Sequence, residues 1–209
     1  MSDSSLPRWL EWAREIQALA QTGEAFAQSG YDAQRWRRLT AIAAEIVAEH
    51  AGLDAGAVSE VLVAARGYAT PKVDVRGAVV TEAGILLVQE RSDSLWTMPG
   101  GWADVGDPPA AMVAREVREE SGYEVAVRKV IGVFDANRSG RPLDLFHAYK
   151  IVFLCDIVGG APRPSDETSD VGFFPFDALP PLSPARTNER HLAEIRAHLA
   201  DPQRPAAFD

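Results

Sequence analysis

Hydrophobic positions follow two different patterns along this chain. Between residues 6 and 68 the period is helical: Trp9, Trp12, Ile16 and Leu19 fall on one stripe, and after the "SGYD" break Trp36, Leu39, Ile42, Ala43, Ile46 and Val47 form another. Asp32 is placed to cap the second of these helices and Gly52 to stop it. A third helix is predicted over residues 57–66. The connector "GYATPKVD" then divides the chain into a small all-α segment, residues 1–70, and a second segment, residues 71–209.

From Asp74 the pattern changes to that of strands. "DVRGAVV" and "ILLVQE" read as strands joined by a turn at residues 82–84. A helix over 108–121 follows, then strands over 124–134 and 145–158, a short strand over 172–175 and a last helix over 187–200. Strands with one helix inserted and one appended predict an α+β fold with a mixed sheet rather than a doubly wound α/β fold. "VGGAPRPSDETSD" reads as a polar loop and the tail "DPQRPAAFD" as frayed.

The helix over 108–121 raises a chemical question. Its apolar stripe is Ala110, Val113, Ala114, Val117 and Ser121, while Glu116, Glu119 and Glu120 share another face, because residues three and four apart are neighbours on a helix surface. Asp107 is suited to the N-cap, Pro108 to the first helical position and Gly122 to a left-handed stop. Carboxylates crowded in this way repel unless a cation joins them, and Mg²⁺ is usually held by a few carboxylates together with waters and substrate phosphates. The plainer reading is a solvated acidic face paired with Arg115 and Arg118.

Spacing decides between the two. Starting at Gly101, the chain places Asp107 after five residues and "REVREESGY" after seven more. This resembles the Nudix box: Gly101, Arg115, Glu116, Val117, Glu119, Glu120 and Gly122 match, while Asp107 stands for the usual Glu and Tyr123 for an aliphatic residue. The stretches "LWTMPGGWADVG", "GYDAQRWRRLTAIAAEI", "DANRSGRPLDLFHAYKIVFLCDI" and "SDETSDVGFFPFDALPPLS" extend the resemblance to the subgroup with an N-terminal helical domain, whose members act on CDP-choline and ADP-ribose. The resemblance implies a Nudix fold, a mixed β-sheet sandwiched between helices, preceded by the small all-α domain.

It also implies a set of residues. Glu116, Glu119 and Glu120 carry over as ligands of Mg²⁺ or Mn²⁺, with the Gly101 carbonyl as a further donor. Arg115 pairs with the acidic box position, here Asp107, and orients Glu116; the shorter Asp is expected to weaken that pairing or bridge it through water. Glu116 or Glu167 is the general base, with Asp166 and Asp170 behind them, and Glu167 is expected on a loop suited to closing over substrate. Arg91 heads the substrate-binding candidates, followed by Trp96, Trp102, Arg138, His147 and Lys150. The implied reaction is hydrolysis of a nucleoside diphosphate linked to another group, CDP-choline to CMP and phosphocholine or ADP-ribose to AMP and ribose 5-phosphate. A nucleoside triphosphate pyrophosphohydrolase and a catalytically idle nucleotide sensor are the alternatives.

Composition sharpens this picture in three respects. A net charge of -9 excludes wholesale binding to nucleic acid or anionic membrane, so an acidic substrate needs a cationic layer; the cluster Arg35, Arg37, Arg38 reads as a solvated helix face. The single cysteine, Cys155, lies in an apolar run and forms no internal disulfide, and neither an export signal nor a run of ~18 apolar residues is present, so a cytoplasmic protein is expected. Trp9, Trp12 and Trp36 give the helical domain more apolar surface than ~65 residues hide alone, which, with the family resemblance, implies a homodimer in which this domain covers the neighbour's substrate site.

Overall fold

The computed structural model describes residues 7–64, 66–104, 106–136 and 147–209. The chain forms two compact units, one built on residues up to Pro71 and the other from Lys72 onward.

The first unit contains α1 (Arg8–Ala25), α2 (Gly30–Ala51) and α3 (Ala55–Ala64). Ser29, not Asp32, caps α2: its hydroxyl accepts the Asp32 amide at 3.1 Å, which puts Asp32 inside the first turn. The chain enters this helix three residues earlier than expected because Gly30 and Tyr31 both accept helical geometry. Gly52 ends it in the left-handed conformation, φ 67°. Alanines fill the α1–α2 crossing: Ala13, Ala43 and Ala44 are buried with Val47, Val58 and Leu62, and Trp9 stacks on His50 with ring centroids 4.8 Å apart. Trp12, Leu19, Phe26, Tyr31, Val61, Val63 and Tyr68 remain exposed.

The second unit runs β1 (Lys72–Thr81), β2 (Gly84–Glu90), β3 (Trp96–Thr97), α4 (Pro109–Ser121), β4 (Tyr123–Asp135), β5 (Ala148–Gly160), β6 (Thr168–Phe174), α5 (Glu189–Ala200) and β7 (Ala207–Phe208). The sheet is mixed. β1 lies parallel to β5 from Lys72↔Ala148 to Val79↔Cys155, β5 antiparallel to β4, and β2 antiparallel to β3 and β6. α4 packs Met112, Val113 and Val117 over Val75, Val79, Phe153 and Cys155; α5 packs Leu192 and Ile195 with Ala78, Ile131, Phe134 and Val152 in the other core cluster. Each such fully buried aliphatic contributes roughly 1.5–3 kcal/mol. Met112 takes the place in the α4 stripe predicted for Ala110, which is exposed.

Two short strands escape prediction, and one corrects it. The tail is paired, not frayed: Ala207 and Phe208 lie parallel to Gly132 and Val133, the Asp209 carboxylate accepts the Asp135 amide at 2.6 Å and pairs with Arg190, and Lys129 Nζ donates to the carbonyls of Pro202 and Arg204, each at 2.9 Å. No helix among the described residues is long and apolar enough to cross a membrane. Cys155 is buried, and burial, aided by the nearby Asp156 charge, pushes its thiol up to about 12.

One irregularity positions the chemistry. β1 and β2 pair only at Val80↔Ile85 and Thr81↔Gly84, then splay apart. The loop after β3 takes the vacated edge of β1: Gly77 N donates to Pro99 O at 2.9 Å, Val75 N to Gly101 O at 2.8 Å, and Ala103 N to Val73 O at 2.8 Å. Gly100 has φ 140°, and a Cβ there would stand 2.0 Å from Val75 O, so only glycine fits.

Candidate active site

The loop just described faces α4. Gly100 N donates to Glu120 Oε2 at 2.8 Å, and a Cβ placed on Gly101 would come within 3.0 Å of Glu116 Oε2. The glycine pair therefore lets backbone lie directly against two carboxylates. α4 starts at Pro109 with Pro108 as its N-cap, and Gly122 ends it at φ 79°. Asp107 is not the cap. Pro108 already has the extended backbone of that position, which leaves the Asp107 carboxylate free for Arg115.

Arg115 gathers the acidic residues. Its Nη2 reaches Asp104 at 2.9 Å and Asp107 at 3.1 Å, and its Nη1 lies 3.4 Å from Glu119 and 3.6 Å from Glu116. The shorter Asp107 thus still pairs directly, and Asp104, which sequence reasoning passed over, shares the load. Tyr123, the other departure from the box, lies edge-on to Phe173 with centroids 5.6 Å apart and does the packing of an aliphatic residue.

Burial sets the electrostatics. Glu120 is only 6% exposed, and desolvation, opposed by Arg76 and the Gly100 amide and reinforced by Glu90 and Glu116, raises its carboxyl to about 7. Glu116 is raised as well, first by burial and then by Glu119 and Glu167, against Arg115 and Arg76. A cation among these carboxylates would offset the burial and mutual repulsion that raise them. Among the described residues no three His, Cys, Asp or Glu side chains stand ready-assembled around one point. The donors present are nonetheless hard oxygens, the kind Mg²⁺ and Mn²⁺ take.

The remaining candidates separate clearly. Glu167 lies at the foot of β6 with its backbone tied down, its carbonyl accepting the Arg91 amide at 2.9 Å and its own amide donating to Ser165 Oγ at 3.1 Å. Glu167 thus lies in the loop that enters β6, and the segment is also held by Thr168 Oγ1, which donates to Glu120 O at 2.9 Å. Arg91 is exposed, with Nη2 3.4 Å from Ser165 O. Trp96 packs edge-on to Phe174, centroids 4.7 Å apart, against the core, whereas Trp102 is 53% exposed with Lys72 Nζ 5.9 Å from its ring. Lys150 is buried: its ammonium donates to the carbonyls of Ala185 at 2.8 Å and Arg186 at 2.7 Å, a role in holding the approach to α5 rather than in meeting a ligand. His147 is exposed and is grouped with the helical unit. Arg138, Asp166 and Asp170 divide similarly: Arg138 lies outside the described residues, and both aspartates are exposed beside Glu167.

Comparison with known proteins agrees with this geometry. Residues 71–195 match the model of the NUDIX domain, and residues 7–62 match a UDP-X-like, N-terminal oligomerisation domain. YjhB of Bacillus subtilis (strain 168), provisionally named an ADP-ribose pyrophosphatase, is 39% identical over 202 residues, 97% of each chain. Among solved structures, a UDP-X diphosphatase is similar over 96% of this chain and 98% of its own, at 29% identity and TM-score 0.63. An ADP-ribose pyrophosphatase from Streptococcus suis 89-1591 is 37% identical with TM-score 0.61, over 67% of this chain and all (100%) of its own. The glutamate-bearing α4, the glycine loop clasped to it and these matches together make the chain a member of the Nudix hydrolase family, with an N-terminal helical segment of the UDP-X-like oligomerisation type.

Proposed function

We propose that the protein is a Mg²⁺- or Mn²⁺-dependent pyrophosphohydrolase that splits the diphosphate of ADP-ribose into AMP and ribose 5-phosphate, with CDP-choline as the next candidate. The observation that carries this reading is the pair of half-buried to buried carboxylates, Glu116 and Glu120, set against the Gly100–Gly101 backbone with their proton affinity raised. ADP-ribose ranks first because YjhB and the Streptococcus suis protein carry that substrate in their names.

Glu116, Glu119 and Glu120 would hold the divalent ion, and the Gly101 carbonyl, which spends one lone pair on Val75 N, has a second to give. When bound, the ion supplies charge neutralisation of phosphate oxygens and an acidified water. The residues of the chain do the rest. Arg115 would offset the crowded charges of Asp104, Asp107, Glu116 and Glu119, which it already pairs with. Glu167, close enough for its charge to act on Glu116, receives the proton of the attacking water. Arg91 meets the distal phosphate and Trp102 offers an open ring face for a base.

The domain organisation belongs to the same reading: residues 1–70 form a dimerisation domain that covers a neighbour's substrate site, and residues 71–209 form the hydrolase. The exposed Trp12, Leu19, Phe26 and Tyr31 supply the apolar surface, and the match to an oligomerisation domain points the same way. A reducing, cytoplasmic setting suits the unpaired Cys155.

A panel of ADP-ribose, CDP-choline, sugar nucleotides and nucleoside triphosphates, assayed with Mg²⁺ and with Mn²⁺ while products are resolved, tests the proposal. Cleavage of a diphosphate between its phosphorus atoms, lost at least a hundredfold in E116Q, E119Q and E120Q, is the expected result. Cleavage of triphosphates alone would select the triphosphate reading, and binding without turnover would select the idle sensor.

A further inference from the structure

Buried ion pairs stabilise little, since apolar replacements of similar volume serve as well or better, so a buried pair beside an active site invites the question of what it holds in place. β1 carries one. Asp74 and Arg76 are 6% and 4% exposed, and the guanidinium grips the carboxylate as a fork, Nε to Oδ1 at 3.0 Å and Nη2 to Oδ2 at 2.8 Å. Lys150 Nζ stands 3.8 Å from the same carboxylate. The third arm of the guanidinium, Nη1, donates to Met98 O at 3.2 Å. Met98 is the residue from which the chain enters Pro99–Gly101, and its own amide donates to Thr187 Oγ1 at 2.9 Å.

We propose that Arg76 is a positioning residue of the hydrolase: pinned by Asp74, it fixes the Met98 carbonyl and so sets the turn whose Gly100 amide aims the Glu120 carboxylate. The route has no slack. Arg76 holds one end of the turn, the β1 amides of Val75 and Gly77 hold Gly101 and Pro99, and the Gly100 N–H at its apex is left pointing to α4. Charge acts in the same direction, because the Arg76 guanidinium opposes the burial penalty on the Glu120 carboxylate. Lysine cannot copy this: a single ammonium on a flexible stem cannot grip a carboxylate in a fork and reach a carbonyl beyond it at once.

The inference rests on the proposed role of Glu120 and is tested so that the two can fail separately. R76K keeps the charge and loses the fork; D74L/R76M replaces the buried pair with apolar side chains. In full-length protein, both are expected to retain the wild-type amide protection of Val152 in the core while the Gly100 amide exchanges at least tenfold faster and its NMR resonance shifts. On the diphosphate that the wild type cleaves best, kcat is expected to fall at least tenfold with KM within twofold. A Gly100 amide unmoved in R76K and in D74L/R76M overturns the proposal, whether or not the wild type cleaves any diphosphate. So does full kcat in either variant with a displaced Gly100 amide. An inactive wild type whose Gly100 amide responds as described removes the proposed substrate class and leaves the positioning role standing.

Discussion

Replacing Glu120 with glutamine should make the metal-free protein more stable at neutral pH, in contrast to its effect on turnover. The Glu120 carboxyl titrates near 7 in the folded chain against an ordinary 4.5, burial being the leading cause. Between those values the folded chain keeps a proton that the unfolded chain has released, so stability falls as pH rises, and above 7 the full penalty is present. At ~1.36 kcal/mol per pH unit the interval amounts to about 3 kcal/mol. The amide oxygen that E120Q introduces can accept the Gly100 N–H without a charge and carries no such penalty. The assay is urea unfolding in EDTA, read by hydrogen exchange in β5 so that the second unit is followed by itself, with both proteins side by side at each pH. E120Q should match the wild type near pH 4.5 and exceed it by about 3 kcal/mol at pH 8. Adding Mg²⁺ at ~100 times the wild-type Kd should stabilise the wild type by about 2.7 kcal/mol and E120Q by less. A difference between the two proteins that stays constant from pH 4.5 to 8, or a wild type that is the more stable at pH 8 in EDTA, would refute the reasoning.

Further outcomes follow from other contacts. G100A should cost roughly 3 kcal/mol in a urea midpoint series and abolish turnover, because the added methyl meets Val75 O at a backbone angle that L residues avoid; wild-type stability would contradict the loop geometry. D209A should lower stability by about 2 kcal/mol through loss of the Asp135 amide bond and the Arg190 pair, and a tail that is already free in the wild type would show no change. Cys155 should resist thiol reagents at pH 8 until denaturant exposes it; rapid labelling of the native protein would contradict its burial.

The strongly patterned elements are legible in the sequence for a physical reason: α4 and β4 bury one face, which imposes a period, whereas β1 and β2 are buried on both faces and read as short apolar runs. Glu116, Glu119 and Glu120 can be placed on one helix, but the sequence alone does not show that Glu120 lies at the border of the apolar stripe, buried with Val117 and Ser121. Two-residue strands such as β3 and β7 are too short to leave a pattern, and the pairing of the tail comes from partners more than seventy residues away, as in the bond from Asp135 to Asp209. The N-caps differ from expectation because Asp32 and Asp107 compete with neighbours, Ser29 and Pro108, whose backbones suit the cap as well. Lys150, Asp74 and Arg76 are readable in principle. Lys150 alternates in phase with Val152 and Leu154, and Asp74 and Arg76 with Ala78, all of them core positions on strands that otherwise look ordinary. A charged residue in the buried phase of a strand signals a buried partner, here one another, rather than a ligand.

The central claim is that the carboxylates of α4 form the seat of a divalent cation. Titrating Mn²⁺ into the metal-free protein, with the free ion read by its paramagnetic resonance signal, tests it directly. The wild type should take up Mn²⁺ at least tenfold more tightly than E116Q/E119Q/E120Q. Equal uptake by the two proteins would contradict the account.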